Sequence, residues 1–158
     1  MEIRLFKAAD RAQIERIMDD FGDEIATMDP QGRCIRKPGC GTEFARQMLD
    51  DASGPGGIVL VAEDNGRIVG FASGRVETRA ERERLAVIDF RNGIVPELYV
   101  SPDWRRRGVG RALLARLDQH FRGQGCQASV IEVFAPNDEA RTFYRSLGYE
   151  ERDIWLYR

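Results

Sequence analysis

Residues 97–114 read ELYVSPDWRRRGVGRALL, and the pattern changes twice along this stretch. An apolar extended run ends at Val100, three arginines lead into Gly108 and Gly110, and a helical apolar pattern begins at once. Where a strand, a glycine turn and a helix N-terminus meet, unsatisfied backbone N–H groups converge with the positive end of the helix dipole. The stretch therefore predicts an anion-binding loop between a strand and a helix.

Three interpretations of Arg105, Arg106 and Arg107 are open from these residues alone: a solvated turn, a nucleic-acid contact and a phosphate cradle. The Walker A pattern is absent, and the Rossmann fingerprint needs a glycine where this chain has Leu113. With 24 Lys+Arg, 26 Asp+Glu and a net charge of -2, the chain lacks the broad basic surface of most nucleic-acid-binding proteins. One compact cationic cluster on an acidic protein is better suited to a single pyrophosphate.

The chain as a whole predicts one soluble domain covering residues 1–158. The first residues lack the pattern of a secretory signal, and no apolar run approaches the ~20 residues of a membrane span, so we expect a cytoplasmic protein without a membrane partner. Cys34, Cys40 and Cys126 are odd in number and lack CxxC spacing, and His120 is the sole histidine. We expect free thiols and no metal site.

Two helices are predicted to precede the first hairpin. A strand at 3–8 leads into apolar residues spaced three and four apart, which predict a helix ending at Gly22. The composition of 19–40 is typical of a loop, and Thr42 is expected to cap a short helix through Leu49.

Extended segments are predicted at 58–62, 68–72, 86–90 and 94–100. The first two flank Asn65-Gly66, the dipeptide that most favours a tight antiparallel hairpin, and the last two flank Arg91-Asn92-Gly93, where a second hairpin is expected. The charged residues 75–85 between the two pairs predict a solvated strand end and loop.

Pro96 lies inside an extended run, where it cannot donate a ladder hydrogen bond, so the strand is expected to be bulged or unpaired there. A strand at 130–134 is followed by a helix with Asn137 as N-cap and Gly148 as its stop. Residues 149–157 predict one or two closing strands. The helix after the glycine loop buries one stripe, consisting of Val109, Leu113, Leu117 and Phe121.

Two motifs in this order resemble the signatures of the GNAT superfamily of acetyl-CoA-dependent N-acetyltransferases. The first matches the family's Gln/Arg-x-x-Gly-x-Gly/Ala pattern at Arg105, Gly108 and Gly110. The second, NDEARTFYRSLGY at 137–149, matches Asn-x-x-Ala-x-x-Phe-Tyr-x-x-x-Gly-Tyr/Phe. The resemblance covers roughly residues 94–150. It implies an α/β fold with a mixed, mainly antiparallel sheet of six to seven strands, about four flanking helices, and a fourth strand that splays from the fifth.

The resemblance also implies a site for acetyl-CoA, the acetyl donor. The pantetheine arm would pair with backbone groups of the splayed strand, chiefly at Leu98 and Val100. The backbone amides from Arg106 to Arg111 would hold the pyrophosphate, while guanidinium groups add charge-assisted contacts. Asn137 would contact the pantetheine amides, its alternative being a helix cap alone. The implied cofactor-binding residues are Leu98, Tyr99, Val100, Arg105, Arg106, Arg107, Gly108, Val109, Gly110, Arg111 and Asn137.

In the family, a tyrosine at the position of Tyr144 acts as general acid toward the leaving thiolate. A phenol of pKa ~10 protonates a thiolate of conjugate pKa ~8.5 only at a cost of about 2 kcal/mol, so hydrogen bonding to the thiolate is the alternative. Glu97 is the candidate for handling the acceptor amine, as a base, through water, or by charge alone, with Glu132 and Asp89 as weaker candidates. A backbone N–H near Leu98 would stabilise the oxyanion.

The expected activity is acetyl transfer from acetyl-CoA to a primary amine by direct attack. A non-catalytic acyl-CoA-binding sensor is the alternative from another class. Small-molecule amines, peptide N-termini and lysine side chains are all open as acceptors, and so is homodimer formation. The acidic segment DDFGDEIATMD at 19–29 could attract a cationic amine or be an exposed helix end.

Overall fold

A computed structural model describes residues 1–77, 85 and 90–156 of the chain. Within them, a mixed sheet of six strands is flanked by four α-helices, as the resemblance implied. The strands are β1 Glu2–Leu5, β2 Ile58–Asp64, β3 Arg67–Val76, β4 Asn92–Val95, β5 Leu98–Val100 and β6 Ala128–Ile131. The α-helices are α1 Arg11–Met28, α2 Cys40–Ala52, α3 Val109–Gly123 and α4 Asp138–Arg145, with 3-10 turns at Ala8–Asp10 and Pro102–Trp104.

The strand order is β1-β2-β3-β4-β6, and β5 pairs with β3 next to β4. All pairs are antiparallel except β4 with β6. The predicted β2–β3 hairpin is confirmed, and its turn residues Asn65 and Gly66 both have the positive φ angles, 49° and 81°, that such a turn requires. Most of the predicted charged loop, together with the extended segment at 86–89, lies outside the described residues.

The sheet separates two apolar clusters. On one face α3 packs its predicted stripe against the sheet, and on the other face α1 and α2 cover it. Successive strand residues point to opposite faces, so Leu60 and Ala62 face α3 while Val59 and Val61 face α1 and α2. The buried stripe of α3 comprises Val109, Leu113, Leu117 and Phe121, as predicted. Within the described part of the chain, no helix is both long and apolar enough to cross a membrane.

Helix α1 does not end at Gly22, and the predicted loop from residue 19 is wrong as far as Met28. An interior glycine costs about 1 kcal/mol, but the apolar stripe continues past it through Phe21 and Ile25, both half-buried. The helix ends where Asp29 precedes Pro30, because a residue before proline is pushed towards extended backbone angles.

Helix α2 begins earlier than predicted, with Gly39 rather than Thr42 preceding its first turn. Gly39 has a φ of 84°, and the backbone N–H of Gly41 donates to the Asp19 carboxylate of α1 at 2.9 Å. A Cβ at Gly41 would lie 2.2 Å from the Glu15 carbonyl oxygen, so this glycine sets the close contact of the two helices.

The expected turn at Asn92-Gly93 is wrong, because both residues lie in β4. A Cβ on Gly93 would lie 2.2 Å from the Phe121 ring, so the glycine is there for helix packing rather than for a turn. Strand β6 also ends before the predicted 134, since its partner β4 stops at Val95.

The closing strands expected at 149–157 are absent from residues 149–156. In their place the Glu151 carboxylate accepts hydrogen bonds from Arg141 and Arg145, which hold this segment against α4.

Candidate functional site

Pro96 interrupts the sheet as predicted, separating β4 from β5. Strand β4 pairs in parallel with β6 up to Val95 and Ile131, whereas β5 pairs only with β3 among the described strands. Ser73 N–H donates to the Glu97 carbonyl at 3.0 Å, and Ser101 N–H donates to the Val69 carbonyl at 2.9 Å. The sheet therefore opens after Pro96, on the side of β5 that faces away from β3.

The alternation of an antiparallel ladder determines which groups face this opening. Because residues 97, 99 and 101 bond towards β3, the N–H and C=O groups of Leu98 and Val100 point the other way. The Val100 carbonyl accepts a bond from Arg105 Nε at 3.0 Å, which leaves Leu98 with both groups directed to the opening.

Tyr99 does not fit its predicted place among the cofactor-binding residues. Its backbone is paired with Phe71, and its ring packs on the α1 face, 5.5 Å from the ring centre of Phe21. Burial raises the pKa of the Tyr99 hydroxyl to about 12, and the neighbouring Glu24 carboxylate adds to the effect. Tyr99 is therefore a packing residue on the opposite face.

The glycine loop has the geometry of an anion cradle. Arg106 and Gly108 both have positive φ, 61° and 83°, and α3 starts at Val109 directly after Gly108. The first N–H groups of a helix have no intrahelical acceptor, so the amides of Val109, Gly110 and Arg111 point out of the helix start together. With the helix dipole, they form a site for negative charge beside β5.

Gly110 places this helix start close to the rest of the site. A Cβ on Gly110 would lie 3.2 Å from the Phe143 ring of α4 and 3.8 Å from the Leu98 side chain. The absence of a side chain therefore lets α3, α4 and β5 converge at one point.

The arginines of the loop differ from one another. Arg106, Arg107 and Arg111 are exposed, and the Arg107 guanidinium lies 5.2 Å from the ring centre of Trp104. Arg105 is half-buried and donates to both oxygens of the Glu24 carboxylate at 2.7 and 2.6 Å. Burial is the largest single influence and lowers the pKa of Arg105, but the hydrogen bond and charge of Glu24, with smaller contributions from Tyr99 and Glu139, together raise it. The expected phosphate contact of the Arg105 side chain therefore conflicts with its geometry.

Asn137 is confirmed as the N-cap of α4, since its side-chain oxygen accepts from the Ala140 N–H at 3.0 Å. Its side-chain NH₂ group donates to no described residue. Capping and a contact with a ligand amide are thus compatible.

Tyr144 is buried, with 9% of its surface exposed, in the cluster between the sheet and α3. Its ring centre lies 5.4 Å from that of Phe143 and 5.9 Å from that of Tyr149. Burial, with a smaller contribution from Tyr149, raises the pKa of the hydroxyl to about 12. The hydroxyl forms no hydrogen bond with any described residue, so its O–H is available to a ligand.

Glu97 is half-buried between β4 and β5, where its carboxylate accepts a hydrogen bond from the Ser73 hydroxyl. Burial raises the pKa of Glu97 and Asp51 raises it further, whereas the Ser73 bond and the charge of Arg75 lower it. The net result is a carboxyl group that holds a proton more readily than an ordinary glutamate. Sequence reasoning missed Ser73, although a lone serine in the apolar run IVGFASG was a usable signal.

The weaker candidates lie elsewhere. Glu132 is exposed beyond the end of β6, and Asp89 lies outside the described residues. His120 Nε2 is 3.0 Å from the Gly56 carbonyl oxygen, in the second half of α3, remote from the helix start. Burial raises the pKa of the Cys126 thiol, which disfavours the nucleophilic thiolate. All three cysteines are free, as predicted.

The sequence profile of the acetyltransferase (GNAT) family matches residues 24–149, and the chain belongs to that family. Over 100 residues it is 31% identical to an uncharacterised N-acetyltransferase of Methanocaldococcus jannaschii, an alignment covering 61% of this chain and 42% of that protein. The chain thus spans less than half the length of this relative.

Two examples represent the solved structures that share the fold. One is a mutant of the BH1408 protein from Bacillus halodurans, with 19% identity, a TM-score of 0.84, and coverage of 100% of this chain and 98% of that one. The other is an aminoglycoside N-acetyltransferase in complex with CoA, with 17% identity, a TM-score of 0.69, and coverage of 99% and 98%. Both likenesses concern the fold alone.

Proposed function

We propose that the chain transfers the acetyl group of acetyl-CoA to a primary amine by direct attack. The observation that carries the proposal is the opening after Pro96, where the unpaired backbone of Leu98 adjoins the carboxyl group of Glu97 with its raised pKa. Perturbed titratable groups beside an opening are typical of catalytic sites. Family membership and the CoA complex of a protein with the same fold support acetyl-CoA as the donor.

The residues present suit acetyl-CoA. The backbone groups of Leu98 that face the opening match the amides of a pantetheine arm, and the Asn137 NH₂ group, which donates to no described residue, can contact them. The amides of Val109, Gly110 and Arg111 suit a pyrophosphate, to which the exposed Arg106, Arg107 and Arg111 add positive charge. Acetyl-CoA supplies an activated acetyl group as a thioester.

In the proposed reaction the amine nitrogen attacks the thioester carbonyl carbon, forming a C–N bond. The Leu98 N–H is placed to stabilise the oxyanion of the tetrahedral intermediate. Before the attack an alkylammonium loses one proton to Glu97, directly or through water, which frees the nitrogen lone pair. After it the nitrogen loses a second proton, the C–S bond breaks, and the thiolate takes up a proton through solvent, giving the N-acetylamine and CoA.

The raised pKa of Glu97 serves this step because it narrows the gap to an alkylammonium, whose ordinary pKa is ~10.4. The partner of Glu97 limits the shift, since the Ser73 hydroxyl stabilises the charged carboxylate. Ser73 also fixes the carboxylate in one orientation.

Tyr144 is proposed to donate a hydrogen bond to the departing sulfur. A hydroxyl of pKa about 12 is a poor proton donor to a thiolate, so hydrogen bonding is the better description of its role. The raised pKa of Tyr144 thus favours the second of the two roles considered from the sequence.

The proposed acceptor is a primary amine, and the thiol-release screen described below distinguishes the classes of amine. The acidic segment is partly neutralised by two arginines, because Asp19 and Asp23 share Arg36 and Glu24 pairs with Arg105. Attraction of a cationic amine by this segment is therefore weaker than its composition suggests.

A screen for thiol release from acetyl-CoA tests the proposal, with one arm each for small polyamines and amino sugars, peptides with free N-termini, and lysine peptides blocked at the N-terminus. We expect release in one arm and its loss in Glu97→Gln. Glu132→Gln is the matched control, since Glu132 is an exposed glutamate on the other branch of the sheet. CoA binding without thiol release in every arm would favour the sensor instead.

A further inference from the structure

Arg105 lies where three elements meet. Its Nε donates to the Val100 carbonyl of β5 at 3.0 Å, and Nη2 lies 2.7 and 2.6 Å from the two carboxylate oxygens of Glu24 in α1. Its guanidinium carbon is 5.7 Å from the ring centre of Tyr99, whose hydroxyl donates to Glu24 at 3.3 Å. The side chain thus ties α1 to β5 and to the start of the glycine loop.

These contacts oppose a role for the Arg105 guanidinium as a phosphate ligand. The side chains of Arg105 and Glu24 are only 30% and 27% exposed, and a second carboxylate, that of Glu139 in α4, lies 3.9 Å away. Turning outward would leave the Val100 carbonyl without this donor and the Glu24 carboxylate with only the Tyr99 hydroxyl, which is costly for partly buried groups. An incoming phosphate would also meet two carboxylates there.

We propose that Arg105 is a positioning residue that fastens α1 to the loop, and that α1 thereby supports the acetyl-CoA site. The inference rests on the proposed function, because it takes residues 105–111 as the acetyl-CoA loop. The next residue, Arg106, has a φ of 61°, a conformation that a residue with a side chain adopts only when neighbouring contacts enforce it. The contacts of the Arg105 side chain with Val100 and Glu24 hold the backbone next to Arg106 and so support this conformation.

The test measures CoA binding by isothermal titration calorimetry for the full chain and its variants. We expect Glu24→Gln and Arg105→Gln each to weaken CoA binding about 5-fold or more, and the double variant to be no weaker than either single one. If the Arg105 side chain instead binds the pyrophosphate, Glu24→Gln should tighten CoA binding, because losing this carboxylate frees the guanidinium and removes a negative charge. Tighter or unchanged binding by Glu24→Gln overturns the inference.

Asp23→Asn is the matched control, because it makes the same charge change one residue away. Asp23 pairs with Arg36 at 2.6 Å rather than with Arg105, so we expect unchanged CoA affinity. A loss equal to that of Glu24→Gln would show an effect of charge alone and would also overturn the inference.

Arg105→Lys distinguishes the hydrogen bonds of Arg105 to Val100 and Glu24 from the effect of its positive charge. Lysine keeps a positive charge for a phosphate but cannot reach the Val100 carbonyl and both Glu24 oxygens together, so we expect it not to restore affinity. Restored affinity contradicts the positioning role. With an acceptor in hand, Glu24→Gln should raise the KM for acetyl-CoA with little change in kcat.

The two proposals fail in different ways. Absence of CoA binding by the unaltered chain removes the proposed function and this inference with it. Normal CoA binding by the unaltered chain and by Glu24→Gln removes this inference alone. If Arg105→Gln does not fold, the sign of the Glu24→Gln effect still decides.

Discussion

Replacing Tyr144 by phenylalanine tests how the proposed leaving thiolate is stabilised. The pKa of the hydroxyl is about 12, and that of a thiol such as CoA is ~8.5 by analogy with cysteine, so complete proton transfer costs about 5 kcal/mol. A hydrogen bond to a charged acceptor contributes about 1.5–3 kcal/mol. Because only this contribution is lost in Tyr144→Phe, we expect kcat to fall by about 10- to 150-fold.

The assay is thiol release at saturating acetyl-CoA, followed across pH, with calorimetry of CoA binding and a melting curve alongside. Binding and melting temperature should be unchanged, since the hydroxyl makes no hydrogen bond with any described residue. Tyr149→Phe is the control, because Tyr149 is a neighbouring tyrosine whose pKa burial also raises. Two results together would refute the hydrogen-bond role in favour of full acid catalysis. In Tyr144→Phe, kcat would fall by about 10⁴-fold or more, and a fall in rate near neutral pH would be seen with the unaltered chain but not with the variant.

Three further predictions concern the carboxylate, the loop and the fold. Ser73→Ala removes the bond that lowers the pKa of Glu97, so the rising limb of the kcat/KM profile should move to higher pH; an unmoved limb contradicts Glu97 as the base. Gly108→Ala places a side chain at a φ of 83° and should weaken CoA binding by about 1–2 kcal/mol, as calorimetry can show. Gly125→Ala makes the same change at a φ of 76° away from the site, so it should lower the melting temperature without changing CoA affinity. Asp10→Asn breaks a part-buried ion pair but leaves Arg4 its second partner, Glu63, and should lower the free energy of unfolding by about 1.5–3 kcal/mol. Because the pKa of Asp10 is lowered from 3.8, the stability from this pair is present above about pH 4 and is lost as pH falls through the folded value, which denaturant titrations at several pH values would detect.

Features that depend on local chemistry were readable from the sequence. Asn65-Gly66 specifies its turn through two positive φ angles, and Asn137 caps α4 through its own side chain. Pro96 ends a ladder because it lacks a donor, whatever surrounds it. These local signals predicted individual elements, whereas the fold class was predicted from the resemblance of two motifs to the GNAT superfamily.

Features that depend on distant packing were not readable. Gly93 resembles a turn residue in sequence, but it lies in a strand because Phe121 needs the space beside it. Gly22 resembles a helix end, yet α1 continues past it and brings Glu24 to Arg105, 81 residues away. No local pattern indicates such a partner, so the pairing of Arg105 with Glu24 was not predicted from the sequence.

The unpaired side of β5 also bears on how the protein avoids unwanted association. A free strand edge at the rim of a sheet invites strands from other chains, and proteins usually protect such edges. Here the backbone groups of Leu98 and the N–H of Val100 open inside the sheet, between β5 and the branch that carries β6. A thin ligand with amide groups can enter such a gap, whereas a strand bearing side chains on both faces meets the packed helices. The interruption at Pro96 therefore leaves backbone groups that a small molecule can reach and that a strand from another chain cannot pair with.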